Sequence, residues 1–172
     1  VVIGSFQKDG NGWGSGTKPK LIKGPDIFLQ TIKMLKDDMP ELHVLLTGPA
    51  RGYVIKGLKE LGIPYHHFFL YDYLDISKYY HALDLYMITS REEGGPRAVL
   101  ESMGSGIPLV TTRVGQAMDF IEHNKNGWMV DVEDVEGLAH WTKYAIENSN
   151  SLDDILFAAR KTAEDHSYSA QI

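Results

Sequence analysis

The chain has 172 residues, which suits one domain, and 43% of them are hydrophobic, as in an ordinary globular protein. Its net charge of −6, without a long Lys/Arg run, argues against nucleic acid as the main partner, because phosphate backbones require a basic surface. The lack of cysteine excludes disulfides, thiolate metal sites and cysteine nucleophiles, and no apolar run approaches the roughly 20 residues of a transmembrane helix, so we expect a cytoplasmic protein.

Apolar runs of strand length alternate along the chain with amphipathic helical patterns. In chain order, the predicted elements are a strand at 1–6, a helix at 25–36, a strand at 42–47, a helix at 53–61, a strand at 65–70, a helix at 77–82, a strand at 83–89, a helix at 97–105, strands at 107–112 and 127–130, and helices at 135–148 and 152–163. This alternation is typical of an α/β fold, a Rossmann-like parallel sheet with helices on both faces.

The domain is assigned to residues 1–165, and 166–172 are a tail of uncertain structure. Because the sequence opens directly on an apolar strand without an initiator Met, we expect it to be a piece of a longer protein. In an open sheet, ligands bind beyond the carboxyl ends of the strands. The loops at 7–24, 48–52, 71–76, 90–96 and 113–119 are therefore candidate binding segments.

The strongest motif passes from a strand through a glycine turn into a helix. Gly94 and Gly95 lack a Cβ and let the backbone approach a ligand, and Pro96 stands where a first helical residue is expected. The free amides of such a helix start suit a diphosphate. Glu101 lies about 7.5 Å further along the helix axis, where a carboxylate can accept hydrogen bonds from both hydroxyls of a ribose. Glu93 would face the opposite end of the ligand; the alternative is an ordinary turn with surface carboxylates.

The spacing of Glu93 and Glu101, followed by Ser-Met-Gly-Ser-Gly-Ile-Pro-Leu-Val, resembles the signature of retaining glycosyltransferases with the GT-B fold, particularly family 4, often called group 1. The similarity covers nearly the whole chain. Its other segments are Lys23-Gly24-Pro25-Asp26, Thr47-Gly48-Pro49, Ala82-Leu83-Asp84 through Ser90, Thr112-Arg113-Val114-Gly115 and Asn126-Gly127-Trp128-Met129-Val130.

The resemblance implies that the chain is the C-terminal, donor-binding half of a GT-B fold, and that a missing N-terminal domain supplies most of the acceptor site and any peripheral membrane association. It implies that Glu101 binds the ribose of a nucleotide-sugar donor and that Lys23 neutralises the diphosphate. Glu93 is the catalytic candidate at the transferred sugar, beside the amides of Gly94 and Gly95. The family's chemistry needs no metal or other cofactor, and the sequence has no Asp-x-Asp motif.

Other candidate residues carry weaker signals. Ser5 stands where the family commonly has an Arg, so Lys8 or Gln7 could replace it at the diphosphate, with Lys8 as the candidate for the second cation. Arg51 could contact phosphate, or it could be a surface residue that caps a loop. Tyr71 and Tyr73 follow the third strand, where the family places its base pocket, although simple packing would also explain them.

Three functions remain in competition at this point. The first is sugar transfer from a nucleoside-diphosphate donor, in which this piece alone binds the donor without transferring sugar. The second is a nucleotide-sugar epimerase on the same fold, and the third is a non-catalytic sugar- or nucleotide-sensing module. The paired glutamates together with Lys23-Gly24 favour the transferase. Trp13, in the glycine-rich loop, could be a substrate contact or a lid.

Overall fold

The structure is a computed structural model that describes residues 1–95 and 97–167; Pro96 and residues 168–172 lie outside the described part. Within it, six parallel strands form one sheet in the order β3-β2-β1-β4-β5-β6. These strands are β1 (Val2–Ser5), β2 (His43–Thr47), β3 (Tyr65–Phe68), β4 (Leu85–Ile88), β5 (Leu109–Thr112) and β6 (Trp128–Val130).

Helices cover both faces of the sheet, which confirms the predicted α/β architecture. They are α1 (Pro25–Leu35), α2 (Gly52–Leu61), α3 (Ile76–Tyr80), α4 (Arg97–Gly104), α5 (Ala117–Phe120), α6 (Val135–Glu147) and α7 (Asp153–Asp165). Among the described residues, no helix combines the length and the apolar character needed to span a membrane. The helix α7 ends at the boundary that the sequence predicts for the domain, and most of the predicted tail lies outside the described residues.

Alternate residues of each buried strand supply the two halves of the core. In β2, Val44 and Leu46 pack with α1, α2 and α6, whereas Leu45 packs with α3, α4 and α7 on the opposite face. The alternation follows from the two-residue period of a strand. Both faces of the sheet are buried at β4, so the sequence of this strand is the continuous apolar run Leu85–Ile88 rather than an alternating pattern.

Every predicted strand and helix is present, with boundaries that differ by a few residues. The strand predicted from 83 begins only at Leu85, because the backbone N–H of Leu83 donates to Tyr80 in the turn that ends α3. The strand predicted to reach residue 70 ends at Phe68, where its pairing with β2 stops. The four-residue helix α5 and the 3-10 turns Leu21–Lys23, Tyr73–Asp75 and Ser149–Ser151 were not predicted.

The strand order reverses between β1 and β4, which are neighbours at the centre of the sheet. Chain segments that leave these two strands diverge to opposite sides of the sheet and open a crevice at its carboxyl edge. The loop after β1 leads to Lys23, and the loop after β4 contains Glu93. The topology therefore brings together the two segments that carry the sequence motifs.

Candidate donor site

The turn that carries Lys23 is fixed against the end of β4 by the glycine that follows it. The 3-10 turn Leu21–Lys23 ends at Gly24, which adopts a left-handed φ of +63° and caps the start of α1. A Cβ at Gly24 would lie 1.8 Å from the carbonyl oxygen of Thr89, so glycine permits the close approach of the two segments. The Thr89 hydroxyl donates to the Gly24 carbonyl over 2.8 Å. Lys23 is thereby held beside the carboxyl end of β4.

Arg91 joins the same two segments from the other side. Its Nη1 and Nη2 donate to the two carboxylate oxygens of Asp26 over 2.8 and 2.7 Å, and Nη1 also donates to the carbonyl of Leu21 over 2.7 Å. Its backbone N–H donates to the carbonyl of Ile22, and its Nε pairs with Glu133 at 2.5 Å. The hydrogen bonds from Arg91 hold the pKa of the Asp26 carboxyl below its ordinary value.

We expect the acid limb of the stability curve to depend on the Arg91–Asp26 pair. Because the folded pKa of Asp26 is lowered, its contribution is present above the unfolded pKa, ordinarily 3.8, and is lost as pH falls through the folded value. Arg91→Met should therefore be less stable than the wild type at neutral pH, and this difference should shrink towards about pH 2.5. Urea unfolding at both pH values measures it.

The control for that prediction is Arg113→Met, because Arg113 forms a more exposed ion pair with Asp131. Exposed pairs contribute little to stability, so this variant should differ from the wild type by less than Arg91→Met at either pH. A difference between Arg91→Met and the wild type that stays constant with pH would contradict the role given to Asp26.

Lys23 and Glu93 meet in the crevice. The Lys23 Nζ lies 2.5 Å from Oε2 of Glu93, and the two side chains are only 21% and 12% exposed. The hydroxyl of Ser90 lies 2.8 Å from the other carboxylate oxygen of Glu93 and 3.1 Å from Oε1 of Gln7. The Gln7 amide nitrogen donates to the Lys23 carbonyl over 2.8 Å. The predicted diphosphate cation and the predicted catalytic carboxylate thus form one hydrogen-bonded network.

The glycine turn after Glu93 rests on the loop that follows β5. The backbone N–H of Gln116 donates to the Gly94 carbonyl over 3.1 Å. Gly115 has a φ of +48°, and a Cβ there would lie 2.3 Å from the carbonyl oxygen of Glu93. Gly94 and Gly95 are themselves exposed at the carboxyl edge, next to the start of α4. Pro96, which the sequence places at the first helical position, lies outside the described residues.

A cavity of about 300 Å³ opens beside this network, over the carboxyl ends of β1, β2 and β3. Its floor and walls are largely aromatic and apolar, and its polar groups come from the loops after β1 and β2 and from α4. The residues that line it are Phe6, Gln7, Lys8, Thr47, Gly48, Pro49, Phe69, Leu70, Tyr73, Ile76, Tyr80, Tyr86, Ala98 and Glu101. An apolar cleft with few convergent polar groups is the usual form of a small-molecule site.

Two tyrosine hydroxyls hold the Glu101 carboxylate in the wall of this cavity. The Tyr80 hydroxyl donates to Oε2 over 3.1 Å, and the Tyr73 hydroxyl donates to Oε1. Burial, together with the hydrogen bond to Glu101, raises the pKa of Tyr73 to about 12, and burial raises the pKa of Tyr80 as well. Both tyrosines therefore remain donors at neutral pH. Each carboxylate oxygen has two lone pairs, so Glu101 can still accept hydrogen bonds from a ligand.

Two weaker predictions need correction. Arg51 is not a surface residue: it is 1% exposed, pairs with Asp9 at 2.9 Å, and donates to the carbonyls of Ser5 and Thr47. Its guanidinium is committed to these acceptors and is not available to a phosphate. Tyr71 is fully exposed, so the packing explanation for it is wrong, and it is not among the residues that line the cavity.

The structure places the other candidates at the site but also adds residues that the sequence did not single out. Tyr73 and Lys8 line the cavity, as does Glu101. The added residues are Ser90, whose hydroxyl lies 2.8 Å from Glu93, and Tyr80, which holds Glu101. Gln7, the alternative to Lys8 at the diphosphate, joins Ser90 to the Lys23 segment. A buried helical tyrosine requires a partner for its hydroxyl, a signal that could have identified Tyr80. Gln7 and Ser90 lie 83 residues apart, and no local pattern joins them.

With this geometry in view, comparison with known proteins identifies the class. The family model of the glycosyl transferases group 1 matches residues 19–162, most of the chain. The chain belongs to this family, and its fold is that of a C-terminal-type GT-B domain, which confirms the resemblance to group 1 glycosyltransferases seen in the sequence.

Individual proteins agree with this assignment. An uncharacterized glycosyltransferase of Haemophilus influenzae is 26% identical over 147 residues, which cover 84% of this chain and 42% of that protein. The chain spans less than half the length of the first curated relatives that it matches.

Two solved structures share the fold. HepE of Anabaena in complex with UDP-glucose superposes with a TM-score of 0.78 at 24% identity and covers 95% of this chain and 44% of its own. The C-terminal domain of the group 1 glycosyl transferase LpcC of Francisella tularensis gives a TM-score of 0.76 at 18% identity, over 96% of this chain and 84% of its own.

Proposed function

We propose that this chain binds the nucleotide-sugar donor for a retaining glycosyltransferase that works without a metal ion. The observation that carries the proposal is the cavity at the carboxyl edge, with Glu101 in its wall and the Lys23–Glu93 network beside it. An apolar cleft suits a nucleoside, a carboxylate suits a ribose, and cations suit a diphosphate. These groups occur together at one switch point of the sheet.

Each part of the donor has a group that suits it. The base lies against the apolar side of the cavity near Phe69 and Tyr73, and the ribose hydroxyls donate to Glu101. The diphosphate lies towards Lys23, Lys8 and the amides of the glycine turn. As negative charge develops on the leaving nucleoside diphosphate, these fixed donors stabilise it in the role that a metal ion has in other transferases. UDP-glucose bound to HepE, a protein with the same fold, supports a nucleotide-sugar ligand for this site.

Glu93 is proposed as the catalytic residue at the transferred sugar. Its carboxylate is mostly buried and already accepts hydrogen bonds from Lys23 and Ser90. When a diphosphate draws the Lys23 ammonium towards itself, Glu93 regains acceptor capacity and can bind the sugar hydroxyls or stabilise positive charge at the anomeric carbon. Donor binding and the release of this carboxylate are thereby coupled.

The acceptor site and catalytic turnover require a second Rossmann-like domain in this proposal, since the chain spans less than half of its relatives. We expect the 172-residue chain to bind nucleoside diphosphates weakly and to show no sugar transfer. Thermal-shift titration with UDP, GDP and ADP and their glucose and mannose derivatives tests donor binding. If the chain responds to none of these ligands, the proposed donor binding is refuted. If the chain transfers sugar without a second domain, the proposed requirement for that domain is refuted.

Replacing Glu101 by Gln should weaken nucleoside-diphosphate binding by about 1–3 kcal/mol, the scale of a hydrogen bond to a charged group. The amide has one acceptor oxygen instead of two, and Tyr73 and Tyr80, which donate to different oxygens of the carboxylate, would both compete with the ribose for the one that remains. Isothermal titration with ribose and 2′-deoxyribose diphosphates measures the effect, and the variant should distinguish them less than the wild type does. Glu60→Gln, on the exposed side of α2, is the control. If the wild type does not distinguish the two sugars, the ribose role is wrong.

A further inference from the structure

The Lys8 ammonium lies over the indole of Trp13. The Nζ atom is 3.7 Å from the ring centroid, well within the range of a cation–π interaction. Lys8 also lines the donor cavity. Trp13 is 83% exposed, so burial of its ring contributes little to the stability of the core. An exposed tryptophan that contacts a cation at the wall of a ligand cavity requires a reason other than packing.

The loop that carries both residues is anchored at several points. The backbone N–H groups of Gly52 and Tyr53, at the start of α2, donate to the carbonyls of Ser15 and Gly16 over 2.8 and 2.9 Å. The carbonyls of Ser15 and Gly16, close to Trp13 in the sequence, thereby satisfy two free N–H groups at the start of α2.

The other side of the loop is held by a buried charge. Asp9, adjacent to Lys8, forms the buried ion pair with Arg51. A Cβ at Gly10 or Gly16 would lie 2.1 Å from backbone atoms of Ala50, so the loop backbone packs directly on the segment after β2. Trp13 and Lys8 are therefore presented from a fixed base.

The charge balance of the cavity shows why the position of Lys8 matters. Lys23 is paired with Glu93, so these two groups contribute no net charge to the ligand-free site. Glu101 adds a negative charge in the cavity wall. Lys8 is the cation among the residues that line this cavity in the described part of the chain. A diphosphate there needs its charge, but a free lysine side chain loses rotamer entropy when it is fixed.

We propose that Trp13 is a positioning residue for the diphosphate of the donor: its indole face holds the Lys8 ammonium at the cavity, where the remaining N–H donors bind phosphate oxygens. The inference rests on the proposed function and adds to it a residue that acts through Lys8 rather than by touching the ligand. An ammonium has three N–H donors and can face a ring on one side and an anion on the other. The aromatic contact lowers the entropy cost of ordering Lys8 when the diphosphate binds.

The test uses four variants of the chain: Trp13→Leu, Trp13→Phe, Lys8→Met and the double variant Trp13→Leu/Lys8→Met. Each is titrated with UDP, UMP and uridine, and with the matching guanosine ligands. Trp13→Leu should weaken diphosphate binding by about twofold to fivefold, the fold-change that corresponds to cation–π energies at exposed sites, and leave nucleoside binding unchanged. Trp13→Phe should retain part of the affinity, because benzene is a weaker cation–π partner than indole.

The double variant separates a positioning role from a direct one. If Trp13 acts through Lys8, the double variant should bind the diphosphate as Lys8→Met does, with no additional loss. Additive losses, or an equal loss for UDP and uridine, would overturn the inference. The unfolding midpoints should match the wild type, since Trp13 is exposed. A wild type that shows no preference for diphosphate over nucleoside would contradict the proposed function as well, whereas a phosphate preference unaffected by Trp13→Leu would contradict only the role of Trp13.

Discussion

Replacing Arg51 by Met is expected to lower the free energy of unfolding by about 3–5 kcal/mol, the cost of leaving one member of a buried ion pair without its partner. The side chains of Arg51 and Asp9 are 0% and 2% exposed, so water cannot replace the lost hydrogen bonds. The carbonyls of Ser5 and Thr47 lose their donor in the same variant. Equilibrium unfolding in urea at neutral pH measures the change.

The double variant Asp9→Asn/Arg51→Met is the informative control. It removes the uncompensated carboxylate, so it should recover a substantial part of the stability that Arg51→Met loses. If the two variants were equally unstable, the ion pair would not be the cause and the lost packing of the arginine stem would account for the effect.

The instability of Arg51→Met should also depend on pH. Burial raises the pKa of Asp9 above its ordinary value of 3.8 even beside Arg51, and loss of the arginine raises it further. An acid whose pKa is higher in the folded state binds its proton more readily there. Its cost to the free energy of unfolding is therefore absent below the unfolded pKa, grows between the unfolded and the folded pKa, and is fully present above the folded pKa. The deficit of the variant should therefore be smaller at acid pH than at neutral pH.

The fold could be predicted from the sequence because its signals are local. The run Leu85–Ile88 is apolar at every position, and α1 places its buried residues on one stripe. The helix α5, Ala117–Phe120, escapes such reasoning because a single turn has no periodicity to detect. It begins next to Gly115, whose approach to the backbone of Glu93 is a tertiary contact.

The site was predictable to the extent that topology determines it. Lys23 and Glu93 lie in loops that follow strands, and Glu101 lies on the helix that follows Glu93, so the sequence places all three at one edge of a parallel sheet. The pairing of Lys23 with Glu93 was not predictable, because 70 residues separate them and each was expected to meet the ligand rather than the other. The prediction for Arg51 was wrong for a related reason. Its Pro-Ala-Arg-Gly context is typical of an exposed loop, whereas its burial depends on Asp9, 42 residues away.

Lys23→Ala is expected to weaken nucleoside-diphosphate binding by about 2–5 kcal/mol, the range for truncating one partner of a hydrogen-bonded charge pair. Two effects act in the same direction. The variant loses the ammonium that would pair with the phosphates. It also leaves the Glu93 carboxylate, which lies 2.5 Å from that ammonium in the wild type, without a cation, so that it repels the phosphates. Nucleoside binding should change little, because neither Lys23 nor Glu93 is among the residues that line the cavity.

Calorimetric titration of nucleoside, monophosphate and diphosphate against both proteins separates these contributions. Wild-type diphosphate binding should weaken as salt rises, and that dependence should be reduced in Lys23→Ala. Adding Glu93→Gln to Lys23→Ala should recover part of the affinity, since it removes the unpaired carboxylate. The matched control is Lys33→Ala, which removes a lysine from the exposed face of α1 and should leave all three affinities unchanged. An equal loss for the three ligands in Lys23→Ala would mean that Lys23 supports the fold of the crevice, and its role at the diphosphate would have to be abandoned.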